Sequence, residues 1–292
     1  MRCRSSVKRA QTLDGRALAK RREERLRNEV EALRAKHGKV PGLAVVLVGN
    51  DPASHVYVSR KQQACRRVGV MDREYRLPAD TSEDALVGLI AKLNRDADIN
   101  GILVQLPLPE GMSKGRVLQS ISPDKDVDAF HAESMGHALI GDESLAPCTP
   151  YGVLLLLDEA GIDVAGRDVV VINHSNLIGK PLAALLMNRN ATVTVCHKGT
   201  KDLLHHTRNA DILVTATGVP GLINAAAIKE GAVVVDVGLG RAKDGTLKGD
   251  VADDVWEKAS WVSPVPGGVG PMTISVLVEN TVRSFRRKMG LA

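Results

Sequence analysis

The chain has 292 residues, 44% of them hydrophobic and 25% charged, a composition that supports two domains with substantial cores and excludes a disordered or fibrous protein. Its formal charge of +5 is spread over interleaved acids and bases, and aromatics make up 2%, which leaves little for base stacking and points to an anionic small molecule rather than nucleic acid as partner. Cys3, Cys65, Cys148 and Cys196 form no Cys-x-x-Cys pair, so neither zinc nor a disulfide scaffold is expected, in keeping with a cytoplasmic protein, and no apolar run reaches membrane-spanning length.

Arg2, Arg4, Lys8 and Arg9 make a basic start with no apolar signal core behind it, which reads as a frayed terminus, with organelle import the minor alternative. From residue 13 to about 36, Leu18, Leu26, Val30 and Leu33 recur at helical spacing among charges and predict a surface helix. Residues 43–48 read as a buried strand. Asp51-Pro52 supplies a cap and a first-turn proline for a helix over 53–67, on which Tyr57 and Lys61 share a face. A short strand follows at 73–77, then a helix over 83–93 capped by Thr81, then a strand at 101–105 that Pro107 and Pro109 stop. The turn at Pro147-Cys148-Thr149-Pro150 precedes a helix containing 154–157 and marks a domain junction: 1–147 form the first domain and 148–271 the second.

Residues 168–188 read as a buried strand, a tight polar turn and a helix opening near Gly179, whose free N–H groups can hold phosphate over the strand's carboxyl end. The pattern recurs downstream. The strand at 192–196 ends in His197-Lys198, that at 212–214 in Thr217-Gly218, and that at 233–237 in Gly238, so the second domain reads as a nucleotide domain. The stretch from Pro264 to Pro271 is expected to be irregular, because its prolines lack donors and its glycines admit left-handed dihedrals. A closing helix over 273–287, within 272–292, returns to the first domain.

Six landmarks then stand in order: Tyr57-Val-Ser-Arg-Lys61, Gly101-Ile-Leu-Val-Gln-Leu-Pro-Leu-Pro109, Pro123-Asp-Lys-Asp-Val-Asp128, Pro147-Cys-Thr-Pro150, His174-Ser-Asn-Leu-Ile-Gly-Lys-Pro181 and Pro264-Val-Pro-Gly-Gly-Val-Gly-Pro-Met-Thr273. Together they resemble the bifunctional methylenetetrahydrofolate dehydrogenase/methenyltetrahydrofolate cyclohydrolases, over nearly the whole chain from Leu13. The resemblance implies an α/β fold of two α/β domains with a cleft between them, the second Rossmann-like, and usually a homodimer. It also implies oxidation of 5,10-methylenetetrahydrofolate with a nicotinamide cofactor, then hydrolysis to 10-formyltetrahydrofolate.

By the same resemblance Lys61 carries the protons of the hydrolysis, Tyr57 orients its amine and Gln105 hydrogen-bonds it. Alone, each would be a solvated, packed or strand-end residue; the trio is informative. Asp128 anchors the pterin, and Pro266, Gly267 and Gly268 line the folate. Ala129 stands where the family usually has glycine, which puts substrate affinity in question if that position needs a positive φ. The cofactor side falls to Asn173, His174, Ser175, Lys198, Thr217, Gly218 and Leu239. Here the chain departs from the family's Gly-Arg-Ser and Ser-Arg, yet His197 and Lys198 place cationic rather than acidic groups where NAD-specific domains carry an acid, so NADP is favoured, with NAD or dual use the alternative. No His-Glu-x-x-His or other ligand spacing occurs, and no metal is expected. The competing readings are a monofunctional dehydrogenase for another pterin carrier and a non-catalytic nucleotide-sensing module.

Overall fold

The computed structural model describes residues 9–242 and 245–291; the basic positions Arg2, Arg4 and Lys8, and Cys3, lie outside the described residues. In chain order, β1 (Gln11–Thr12) and α1 (Gly15–His37) are followed by β2 (Gly42–Val48), α2 (Pro52–Val68) and β3 (Met71–Leu77). Next come α3 (Glu83–Arg95), β4 (Gly101–Val104), α4 (Lys114–Gln119) and α5 (Ala132–Leu139). Contacts divide the chain into two units: Ala19–Cys148 with the chain from Thr273 onward, and the chain up to Leu18 with Thr149–Met272.

In the first unit β2 lies between β3 and β4, all parallel. Every residue of its Gly-Leu-Ala-Val-Val-Leu-Val run is buried, as a strand covered on both faces requires. Ala44, Val46, Leu86, Ile90, Ile102 and Val104 pack one face into a core. The cap of α3 sits one residue later than the sequence suggested. Ser82 Oγ accepts the Ala85 N–H at 3.2 Å, whereas the Thr81 hydroxyl donates to the Pro78 carbonyl at 2.7 Å and is spent in the preceding turn.

The second unit continues with α6 (Cys148–Glu159), β5 (Asp168–Ile172), α7 (Gly179–Asn188), β6 (Thr192–Cys196), α8 (Leu203–Thr207), β7 (Ile212–Thr215) and β8 (Val233–Asp236). A small hairpin of β9 (Gly240–Arg241) and β10 (Leu247–Lys248) precedes β11 (Trp261–Val262), and α9 (Val269–Lys288) closes the chain. Among the described residues the main sheet has the order β1-β11-β8-β7-β5-β6, with every neighbouring pair parallel. The chain leaves β5 for β6 on one side and resumes at β7 on the other, which puts a topological switch point at the carboxyl end of β5.

Two expectations change. Gln11 and Thr12 pair with Trp261 and Val262, so the segment up to Leu18 groups with the nucleotide sheet rather than with the first domain; two residues are too few to show alternation, and the partner lies far along the chain. Secondly, α9 begins at Val269, so Val269, Gly270 and Pro271 are helical. Proline is tolerated there because first-turn N–H groups have no partner within the helix, and the irregular stretch ends at Gly268.

Candidate active site

Helix α2 is fixed at both ends. Asp51 accepts the Ser54 N–H at 2.8 Å and the Ser54 hydroxyl at 2.7 Å, Pro52 fills the first turn, and Gly69 closes the helix in the left-handed region with φ 87°. Its inward stripe is Ser54, Val58, Lys61, Ala64, Cys65 and Val68, so Lys61 occupies a core position and is 8% exposed. Its Nζ donates to Gln105 Oε1 at 3.0 Å. Gln105 directly follows β4, where its own N–H continues the ladder to Val46 at 2.8 Å and its Nε2 donates to the Leu106 carbonyl at 2.7 Å. The side-chain amide is thereby oriented with its oxygen toward the lysine.

Asp128 completes the group. Burial pushes its carboxyl above the usual carboxylate range, while the charge of Lys61 and a hydrogen bond with Cys148 pull it back. That opposition places the Lys61 side chain close enough for its charge to act on the Asp128 carboxyl. The Cys148 thiol donates to the Val127 carbonyl at 3.2 Å, and burial, reinforced by Asp128, raises it well above a normal thiol. Asn280 of α9 donates to the Val127 and Ala146 carbonyls, both at 2.9 Å, and so pins the two segments that carry Asp128 and Cys148. Tyr57 is half-buried one turn before Lys61, its hydroxyl raised by burial; among the described residues the Lys61 amine is bonded to Gln105 rather than to Tyr57. Ala129 is fully buried at φ 58°, the left-handed region that glycine occupies without strain.

The remaining site positions lie in the second unit, at the carboxyl ends of its parallel strands. Asn173, after β5, donates to the Ala216 carbonyl beyond β7 at 2.7 Å and accepts the N–H of Ser175 at 2.8 Å and of Gly179 at 3.0 Å. The Ser175 hydroxyl donates to the same Asn173 oxygen at 2.7 Å, so both side chains hold the turn across the switch point. His174, His197 and Lys198 remain exposed at the ends of β5 and β6, with the two imidazole centroids 4.7 Å apart. His197 Nδ1 accepts the Gly199 N–H at 3.1 Å, which leaves Nε2 as its outward nitrogen. A dinucleotide fits this edge: a Cβ on Gly179 would overlap the Asn173 carbonyl, so the turn is kept close and bare, and the exposed Lys198 ammonium suits a phosphate. Thr217 and Gly218 follow β7 and Leu239 follows β8, all exposed. Pro266, Gly267 and Gly268 follow β11 on the same edge, where the Gly267 carbonyl accepts the Arg16 N–H at 2.9 Å.

The sequence reading passed over two buried acids here. Asp236, the last residue of β8, accepts N–H groups from Gly238 at 2.9 Å, Asp250 at 3.1 Å and Val251 at 3.0 Å, yet burial still raises its carboxyl to about 6. Asp250 accepts the Thr215 hydroxyl and the Thr217 N–H. An acid ending the apolar run Val-Val-Val-Asp was a visible signal; Asp250 had none, since it reaches the strands from beyond a hairpin. Among the described residues no three His, Cys, Asp or Glu side chains are grouped to hold a metal ion.

A parallel sheet with a switch-point turn in one unit, and a partly buried Lys–Gln–Asp cluster in the other, define a dinucleotide-dependent α/β enzyme. The chain belongs to the tetrahydrofolate dehydrogenase/cyclohydrolase family: the family's catalytic-domain model matches residues 13–128 and its NAD(P)-binding-domain model residues 147–289. It is 51% identical to the bifunctional protein FolD of Methanosarcina barkeri over 271 residues, 92% of this chain and 94% of that protein. Among solved structures, the bifunctional dehydrogenase/cyclohydrolase FolD of Campylobacter jejuni superposes with a TM-score of 0.93 at 45% identity, covering 96% of this chain and 99% of that one. The Trypanosoma brucei FolD, solved with NADP and an inhibitor, gives 0.93 at 37% identity over 97% and 99%.

Proposed function

We propose that the protein oxidises 5,10-methylenetetrahydrofolate to the 5,10-methenyl cation with NADP and then hydrolyses that cation to 10-formyltetrahydrofolate. The observation that carries this reading is the partly buried Lys61–Gln105 hydrogen bond, with the Asp128 carboxyl within reach of the Lys61 charge.

Bound NADP supplies the hydride acceptor for the first step. Asp128 accepts hydrogen bonds from the pterin's amino group and ring N–H, which sets the reacting carbon over the cluster. In the hydrolysis, water adds to the methenyl carbon and loses a proton to the Lys61 amine; Lys61 returns that proton to the folate nitrogen as the carbon–nitrogen bond breaks. Gln105 aims the amine throughout, and Tyr57 borders it. Pro266, Gly267 and Gly268 line the folate by backbone approach, while Thr217, Gly218 and Leu239 take the nicotinamide end and His174, His197 and Lys198 the 2′-phosphate. Asn173 and Ser175 hold the turn beneath the phosphates.

The protein works as a homodimer in the cytoplasm, a placement supported by its cysteine usage and by the absence, among the described residues, of any helix long and apolar enough to cross a membrane. The deciding experiment is Lys61→Met. The variant loses cyclohydrolase activity by about 100-fold or more, the scale of a lost proton-transfer group, while its Kd for the folate substrate stays within about 3-fold. Equal hydrolysis rates in variant and parent would remove Lys61 from the reaction.

A further inference from the structure

Beneath the turns that follow β7 and β8 lies a carboxylate that the reaction above leaves unused. Asp250 has no exposed surface. One of its oxygens accepts the Thr215 hydroxyl at 2.7 Å and the Thr217 N–H at 2.6 Å. The other, Oδ1, has no hydrogen-bond partner among the described residues and lies against Gly238, where a Cβ would overlap it. The Asp250 N–H donates at 3.1 Å to Asp236 Oδ1, which also takes the Gly238 N–H. A Cβ on Gly240 would in turn meet the Gly218 carbonyl at 2.5 Å, so the two turns are packed together. Asp236 is tied onward, its N–H donating to the Ser263 hydroxyl oxygen at 2.7 Å, just ahead of the Pro264–Gly268 loop.

Burying a carboxylate is costly, and an oxygen left without a donor adds to that cost. The return is geometric. A short, charge-assisted bond to a backbone N–H holds a turn more firmly than a neutral acceptor does, and the bare oxygen fills the space beneath Gly238.

We propose that Asp250 is a positioning residue for hydride transfer: by anchoring the Thr217 N–H and bracing Gly238 it sets the Thr217–Gly218 and Gly238–Leu239 turns at one fixed spacing. The proposal rests on the reading that these turns hold the nicotinamide end of NADP. Hydride transfer is sensitive to small changes in donor–acceptor distance, whereas the proton transfers of hydrolysis are assigned to Lys61 of the other unit.

The full-length parent is compared with Asp250→Ala and Asp250→Asn, the latter keeping one oxygen for both donors. Without ligand, amide exchange at Thr217 becomes about 10-fold faster or more in Asp250→Ala and stays near the parent rate in Asp250→Asn. Dehydrogenase kcat falls about 10-fold or more in Asp250→Ala with a larger isotope effect on deuterated methylene substrate, while hydrolysis of supplied methenyl substrate stays within about 2-fold. Unchanged exchange and kcat, or equal loss of both activities, overturns the proposal. Should Asp250→Ala fail to fold, Thr215→Val, which removes one donor, shows the same changes at smaller size, and no change in it is equally fatal. A parent that does not reduce NADP with the methylene substrate refutes the assigned reaction instead, and the exchange measurement still decides whether Asp250 anchors the turn.

Discussion

Lys61 shows how a single position on a helix decides what surrounds a side chain. On the outer face of α2 it would be one more solvated cation; at the inward stripe it meets an amide oxygen and an acid instead of water. Ala129 makes the complementary point. Its neighbour Asp128 must turn inward, and the chain makes that turn by placing residue 129 at φ 58° with no exposed surface. Alanine tolerates the dihedral at a cost of roughly 1–2 kcal/mol, but a β-branched side chain does not. Ala129→Val therefore destabilises the protein by about 2–4 kcal/mol through backbone strain and overpacking, as read by urea denaturation. A variant as stable as the parent would show that the turn can reshape around a bulkier residue.

At the scale of elements, legibility followed length and locality. The buried run of β2 and the Asp51-Pro52 start of α2 carry their signals within a few residues, whereas the Lys61–Gln105 hydrogen bond was expected only through the family resemblance. β1 and the β9–β10 hairpin consist of two-residue strands whose definition comes from a partner, and Pro271 looked like a breaker until its first-turn position excused it. Asn280 belongs to the hidden class as well. It lies in the middle of α9, where its sequence neighbours are uninformative, yet its amide serves two buried carbonyls from segments more than a hundred residues earlier. Asn280→Ala leaves both carbonyls without that donor and costs about 2–4 kcal/mol. The KM for folate rises in the same variant, since Val127 no longer holds Asp128 in place; an unchanged KM would confine Asn280 to stability.

For the molecule as a whole, the acids of the nucleotide sheet give stability a particular pH dependence. Because burial lifts Asp236 to about 6, the folded state prefers its protonated form. Its contribution to stability is fully present below the ordinary carboxyl range near 4 and is lost as pH rises through about 6. Asp51, Glu83, Asp142 and Asp211, held below their usual values by hydrogen bonds, act in the opposite sense and lose their contributions as pH falls. The two are separated by difference: relative to Asp236→Asn, the parent loses on the order of 2–3 kcal/mol between pH 4 and pH 6.5, measured by denaturant unfolding at each pH. A parallel pair of profiles would mean that the network, not the charge, sets the stability.

Neither unit is an uninterrupted stretch of chain, and the first is finished only by its last twenty residues. During synthesis, which proceeds at about 5–20 residues per second, Lys61 and Asp128 therefore leave the ribosome many seconds before the amide of residue 280 arrives to clamp the segments that carry Asp128 and Cys148. The nascent chain must carry those segments unclamped through translation of the entire dinucleotide sheet, and a chain cut before residue 280 would hold Lys61, Gln105 and Asp128 with the clamp missing.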